Sequence, residues 1–434
     1  MQRLVSATFG DLLNADWEVA ETEARKQADR GKPDKAVKVI AAFQEKLCAL
    51  RILDPACGTG NFLYVSMEEL LRLEGKALAL AESLGTNIAP AVHPNQFLGI
   101  ELNPRAAVID ELVLWIGWLR HRLANHPQAI GDPVLPTLTN INGGTHGGCD
   151  AVLRRTATGE PDIANPMVPD WPEADFIVGN PPFIGGKDIR AKLGGDYAEA
   201  LWKANPRVPK SADFVMQWWD HAAHILTAKN SPLRRFGFVT TNSITQTFSR
   251  RVIEGYLSKS SPSLLGEGDR SLQASGGGAA ALKATPLASA PPSSTSAKAP
   301  ADATSPSKLR EDQDGLSLIL AIPDHPWTKA TPDAAAVRIA MTVAEAGAHN
   351  GKLLEIVREE GLASDDPTLV TSVVDGAINA DLTVGADVVN AHRLRANELI
   401  SVRGIENCTQ MVMCWKIRFT NNGSQNHQNF MLNT

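Results

Sequence analysis

Apolar positions fall at helical intervals at the start of the chain and at strand intervals soon after. Ala36, Val37, Val39, Ile40, Phe43 and Leu47 fall on one side of a 3.6-residue period, so residues 1–49 read as a helical lead-in. The run RIL at 51–53 enters DPACGTG at 54–60, after which residues 61–71 resume helical spacing. Strand, glycine turn and helix in that order form the opening unit of a doubly wound sheet. Further strands are predicted over 96–102, 174–178, 236–240, 316–322 and 337–343, with helices over 106–120 and 213–226 between them. Strands alternating with helices imply an α/β fold with a Rossmann-like, doubly wound and mostly parallel sheet.

One stretch breaks the pattern. Residues 259–309 turn abruptly to Ser, Ala, Pro and Gly, with too few large apolar side chains to offset the entropy of ordering, so this segment is expected to be disordered. The strand-like LSLILAI at 316–322 follows it, which reads as a continuation of the same sheet around an insertion. Closing a loop of ~50 residues instead of a short turn costs only about 2 kcal/mol more. The expected organisation is therefore a lead-in at 1–49, a core at 50–258 and an insertion at 259–309. The end of the core and the start of a following region fall at 310–400, with an irregular, Asn- and Gln-rich tail at 401–434.

Composition narrows the function classes. At 434 residues and 43% hydrophobic, the chain can fill an ordinary core. The N-terminus lacks a basic-then-apolar layout, and no apolar run approaches the roughly 18 to 20 residues that cross a bilayer, so a cytoplasmic protein without membrane contact is expected. The five cysteines, Cys48, Cys57, Cys149, Cys408 and Cys414, are scattered without a CxxC pair and are expected to be free thiols. His221 and His224 share a helix but lack a third ligand, so no metal site is expected. A net charge of −6 excludes a protein that coats nucleic acid with its whole surface. DNA contact must be local, and residues 187–210 are the candidate: Lys187, Arg190, Lys192, Lys203, Arg207 and Lys210 interleave there with Tyr197 and Trp202.

The chemistry lies at strand ends. A glycine turn followed by a helix start lets backbone approach a nucleotide-like ligand, but Asp54 before it would repel a pyrophosphate and suits a cationic ligand instead. S-adenosylmethionine, with an ammonium and a sulfonium, meets that demand. Glu101, at the end of QFLGIE, is placed to accept both ribose hydroxyls of a bound nucleoside. Asn180-Pro-Pro-Phe183 directly follows the apolar strand ADFIVG. An exocyclic amine conjugated to a base is a poor nucleophile, and the Asn180 side-chain oxygen and the Pro181 carbonyl are suitable acceptors for its two protons. Phe183 can stack on a base flipped from the duplex, a contact of about 1–3 kcal/mol. Cys57 lies in the cofactor turn and is not read as a nucleophile.

The segments LDPACGTGNFL, FLGIELNP and DFIVGNPPF resemble motifs I, II and IV, in that order, of class I S-adenosylmethionine-dependent DNA methyltransferases acting on adenine N6. The wider context, including ADFVMQWWDHAAHIL and IPDHPWT, is similar to large bacterial methylases of restriction or phage-defence systems, including MmeI-like enzymes. The resemblance covers residues 1–400 apart from the insertion. It implies that Asp54, Pro55, Ala56, Cys57, Gly58, Gly60, Asn61 and Phe62 form the cofactor turn, with Glu101 and Leu102 at the ribose. It further implies Asp150 at the cofactor adenine, Asn180 at both the cofactor and the amine, and Asn180, Pro181, Pro182 and Phe183 as the catalytic loop. Thr240-Thr-Asn-Ser243 would close the target-base pocket. The implied partners are double-stranded DNA and restriction- or defence-system subunits. Cytosine N4, a protein glutamine or an RNA amine are the alternative targets. The chain shows no TP-type motif X, long N-terminal extension or target-recognition domain, so an inactive truncated fragment is the alternative to an active enzyme.

Overall fold

The computed structural model describes residues 1–125, 138–145, 147–257, 315–326, 338–360 and 368–385. Helix α1 (Gln2–Val5), a π-helical turn (Ser6–Gly10) and α2 (Asp11–Asp29) follow one another without a break, and α3 (Pro33–Ala49) begins on a proline at its first turn. Ala36, Ile40, Phe43 and Leu47 are the buried stripe of α3, as their spacing predicts, and Phe43 meets Trp17 with ring centroids 5.0 Å apart. The chain then enters β1 (Ile52–Asp54) and α4 (Asn61–Ser83), β2 (Phe97–Gly99) and α5 (Pro104–Asn125), and β3 (Phe176–Gly179). Next come α6 (Ile189–Leu193), α7 (Gly195–Ala204), α8 (Met216–Leu226), β4 (Arg235–Thr241) and α9 (Thr247–Glu254). Strands β5 (Leu316–Pro326), β6 (Arg338–Ala346), β7 (Gly351–Glu360) and β8 (Thr368–Gly376) complete the order.

The eight strands form one sheet in the order β2-β1-β3-β4-β6-β5-β7-β8. Strands β2, β1, β3 and β4 run parallel, β6 lies antiparallel between β4 and β5, β7 is parallel to β5, and β8 is antiparallel to β7. The sheet is thus a doubly wound α/β structure, as the alternation of patterns implies. Successive strand residues face opposite layers: Ile52, Phe97, Phe176 and Val178 join a core with α1–α5, while Leu53, Leu98 and Ile177 join a core with α8 and α9. Burial on both faces explains why these strands read as short continuous apolar runs.

Because β2 and β3 flank β1 on opposite sides, the chain reverses its direction of winding at β1. A crevice opens there between the carboxyl ends of neighbouring strands, where open α/β sheets hold ligands. The insertion leaves and returns at a single point, since Leu316 N donates to Tyr256 O at 2.9 Å and Leu257 bridges Leu316. The segment expected to be disordered (259–309) and the tail expected to be irregular (401–434) lie outside the described residues. The hairpin β7–β8 falls outside the strands that the apolar pattern predicts. Val357, Val370, Val373 and Val374 on it are 40–67% exposed, so it lacks the apolar run of a strand buried on both faces.

Candidate cofactor and catalytic site

The turn after β1 is built around a buried acid. Asp54 is 1% exposed, and its Oδ1 accepts from Ala56 N at 3.0 Å, which folds the chain sharply after the strand. Burial pushes the Asp54 carboxyl well above the usual carboxylate range, and nearby Asp110 and Glu101 push it further, against the lowering by the Ala56 N–H. Gly179 on the adjacent strand makes room for it, since a Cβ there would stand 2.4 Å from Asp54 Oδ1. Gly58 and Gly60 have φ of +58° and +84°, which L side chains rarely adopt, and Gly60 caps α4. Burial likewise pushes the Cys57 thiol up, and Cys57 is a free thiol with its N–H on Ile100 O at 3.1 Å. A neutral thiol of this kind is a poor nucleophile.

At the edge of β2, Glu101 ties its own loop to this turn. Its Oε2 accepts from Gly58 N at 2.8 Å and its Oε1 from Asn103 N at 2.7 Å. The backbone of Glu101 is held in turn by Asn142, whose Oδ1 accepts from Glu101 N at 2.8 Å and whose Nδ2 donates to Glu101 O at 2.9 Å. The Asn142 amide thus continues, past the bridge between Gly99 and Ile141, the pairing that a strand would give at this edge of β2. Asp150 Oδ1 accepts from Val152 N and Leu153 N at 2.9 and 3.1 Å, and its Oδ2 accepts from the Tyr197 hydroxyl at 2.7 Å.

At the end of β3, the Asn180 side-chain oxygen is buried and has no hydrogen-bond partner. A buried acceptor left unpaired costs on the order of 1–3 kcal/mol, which a ligand N–H would offset. A cavity of about 610 Å³ brings the three strand ends together, lined by Pro55, Ala56, Glu101, Leu102, Asp150, Asn180 and Pro182. Asp54, Cys57, Gly58 and Gly60 form the turn beside it without lining it, and Asn61 and Phe62 open α4, with Phe62 in the core. Pro181 is buried, and the half-buried Phe183 packs against the core with α1–α5 instead of lining the cavity. Thr241, the last residue of β4, and Ser243, just after it, bond to Asp213.

Several lining residues carried no signal in the sequence. Trp218, which reads as ordinary core, lines the cavity and donates its indole N–H to Pro55 O at 2.9 Å. Phe214 and Arg155 line it as well, and so do Lys192 and Tyr197, which the sequence marks only as part of the candidate DNA-contact stretch. Asp110 on α5 is fully buried beside the turn: a Cβ at Gly60 would stand 2.1 Å from its Oδ1. No N–H or O–H donor meets either of its oxygens, the weakly donating Cys57 thiol lies against it, and burial raises its carboxyl to about 7.

The basic stretch is partly neutralised. Arg190 and Lys210 both pair with Glu199 and stand over the Trp202 ring at 5.3 and 4.9 Å, and Arg207 pairs with Asp220 at 2.8 Å. Lys187, Lys192 and Lys203 have no ion pair among the described residues. His221 stacks on Trp171 at 4.2 Å, and burial lowers it to about 4, which makes it a neutral core histidine. No helix among the described residues is long and apolar enough to cross a membrane, and no three His, Cys, Asp or Glu side chains among them gather as a metal site.

The family described as MmeI, DNA-methyltransferase domain, matches residues 29–257. The chain belongs to this family. It is 29% identical to DNA methyltransferase A of Bacillus subtilis (strain 168) over 209 residues, 45% of this chain and 21% of that protein. It is 25% identical to the adenine-specific methyltransferase PglX of Streptomyces coelicolor over 228 residues, 48% of this chain and 18% of that protein. The chain thus matches about a fifth of the length of either relative. The restriction-modification enzyme MmeI, solved in complex with DNA, shares the fold with a TM-score of 0.56 and 20% identity, over 89% of this chain and 40% of that one. The match to the family spans all three strand ends that meet at the cavity.

The residues present fit the cofactor of such a domain. Asp54, Glu101 and Asp110 surround the turn with no cationic partner among the described residues, so a cationic ligand would relieve their mutual repulsion.

Proposed function

We propose that this chain transfers a methyl group from S-adenosylmethionine to the exocyclic N6 amine of adenine in DNA, acting directly on a base flipped out of the duplex. The observation that carries this reading is the buried, unpartnered Asn180 oxygen in the wall of a cavity that also contains Glu101 and Asp150. When bound, S-adenosylmethionine supplies an electrophilic methyl on a sulfonium. Asp54 and Asp110 would favour that positive charge through the field of the turn, Glu101 would accept from the ribose hydroxyls, and Asp150, fixed by Tyr197, would hold the adenine.

The catalytic loop acts on the other partner. Asn180 Oδ1 and the Pro181 carbonyl accept the two amine N–H groups, which draws the nitrogen lone pair out of conjugation and toward the methyl. With the methyl that the bound cofactor would supply, the nitrogen would form its new N–C bond as the S–C bond breaks, and one amine proton would leave by way of these acceptors to water. Pro181 and Pro182 hold the carbonyl direction because their φ is fixed. Phe183 would turn from its seat against the core to stack on the extruded base, and Lys187 and Lys203, without an ion pair among the described residues, would meet backbone phosphates. Double-stranded DNA is the partner this chemistry requires, with subunits of a restriction or defence system as further partners in the cytoplasm.

The test is methyl transfer from labelled cofactor to unmodified DNA, with the product base typed by mass spectrometry. N6-methyladenine supports the reading, whereas N4-methylcytosine moves the target to the other exocyclic amine. Asn180→Ala should lower turnover at saturating S-adenosylmethionine about 10²- to 10³-fold, the effect of removing one preorganised polar group. Full turnover in that variant would remove Asn180 from the mechanism.

A further inference from the structure

The loops at the carboxyl ends of β3 and β4 are joined through a single carboxylate. Asp213, in the turn before α8, accepts from Gly186 N at 3.2 Å with Oδ1, and from the Thr241 hydroxyl at 3.3 Å and the Ser243 hydroxyl with Oδ2. Gly186 follows Phe183 closely, in the loop that begins with Asn180. Thr241 ends the neighbouring strand, β4, and Ser243 lies in the loop that follows it. The backbone on either side adds to the junction: Asp213 N donates to Ser249 Oγ at 3.3 Å, and Phe214 N donates to Ile184 O at 2.9 Å. The fit leaves no slack, since a Cβ on Gly186 would stand 2.3 Å from Ser211 O.

Asp213 does not line the cavity, but the residue after it does. Phe214 is 5% exposed, forms part of the cavity wall, and meets Trp218 edge-on at 4.9 Å. Trp218 in turn holds Pro55 of the glycine turn. The short segment 213–218 therefore contacts the glycine turn, the loop of Asn180 and the loop after β4. Asp213 has no ion pair among the described residues, so its charge is balanced only by neutral donors from the loops it joins. Such an arrangement ties the two loops to each other and does little for the sheet, whose two faces are already closed by apolar cores.

We infer that Asp213 is a positioning residue for the target-base site, locking the Asn180 loop to the Thr241–Ser243 loop so that the amine acceptors and the wall carrying Phe214 keep a fixed separation. This rests on the methyltransferase reading given above. Asp213 touches neither ligand; it acts through Gly186, Thr241 and Ser243. A displacement of about 1 Å at the acceptors is enough to cost ~10²-fold in rate.

The experiment compares wild-type, Asp213→Ala and Asp213→Asn chains for methyl transfer to unmodified DNA and for calorimetric binding of S-adenosylmethionine. Asp213→Ala should lower kcat about 10²-fold and leave cofactor Kd within about threefold of wild type. Asp213→Asn should recover most of the rate, because its amide oxygen still accepts from Gly186 N and its NH2 can donate to hydroxyls free to rotate. If Asp213→Ala does not fold, Ser243→Ala severs one arm of the junction and should lower kcat about tenfold at unchanged cofactor Kd. Wild-type rate in Asp213→Ala, or in Ser243→Ala, overturns the inference and leaves the methyltransferase reading standing. Loss of cofactor binding in step with rate also overturns it, by making Asp213 a general structural residue. A folded wild-type chain that binds cofactor but methylates no DNA base overturns both.

Discussion

Replacing Asp110 with asparagine should change how stability depends on pH in a calculable way. The Asp110 carboxyl is fully buried beside the glycine turn, and burial, with Glu101 and Glu111 adding to it, raises it to about 7. In the unfolded chain an aspartate titrates near ~3.9. Between those values the folded state holds a proton that the unfolded state has released, so stability falls as pH rises through this window and levels off above the folded value. At about 1.36 kcal/mol per pH unit, this group alone should remove about 3 kcal/mol of stability between pH 5 and pH 8. The asparagine side chain would be uncharged at both pH values. Its amide brings a fixed cost of about 1–3 kcal/mol if its N–H groups stay unpaired, but that cost does not vary with pH. Equilibrium urea unfolding at pH 5 and pH 8, followed by the fluorescence of the nine tryptophans, isolates the pH-dependent part. The stability difference of Asp110→Asn from wild type should become more favourable by about 3 kcal/mol on going to pH 8. An equal difference at the two pH values would refute the claim that Asp110 is a buried, uncompensated acid.

Two further substitutions test the walls of the cavity. Gly179→Ala would place a methyl 2.4 Å from Asp54 Oδ1, so calorimetry should show S-adenosylmethionine affinity reduced about tenfold or more, together with a lower melting temperature from overpacking of roughly 1–3 kcal/mol. Trp218→Phe keeps an aromatic ring against Phe214 but removes the bond to Pro55 O; a loss of about 1 kcal/mol should appear as a several-fold weaker cofactor Kd with little change in kcat at saturating cofactor.

How much of this was legible beforehand follows from the range over which each signal acts. The strand, glycine turn and helix at 51–71 and the strand running into Asn180 are local patterns, written in consecutive residues whose apolar period and backbone requirements do not depend on distant partners. The same holds for the strands leading to Asp54, Glu101 and Gly179, and for the composition break after 258, so sheet class and the loops bearing the candidate chemistry could be read directly. Tertiary structure decided which side chains surround those loops. Asp110 sits in a helical pattern like any solvated acid, Asn142 in a polar turn, and Asp213 and Trp218 in an amphipathic run. Nothing in their neighbours reveals that α5 presses Asp110 against Gly60, or that the Asn142 amide holds the backbone of Glu101. The antiparallel placement of β6 between β4 and β5 was also undetermined by pattern, since apolar alternation fixes which residues face inward and says nothing of strand direction or neighbour. Those features depend on contacts between segments far apart in the chain, which form only when the sheet has closed and both of its faces have been covered.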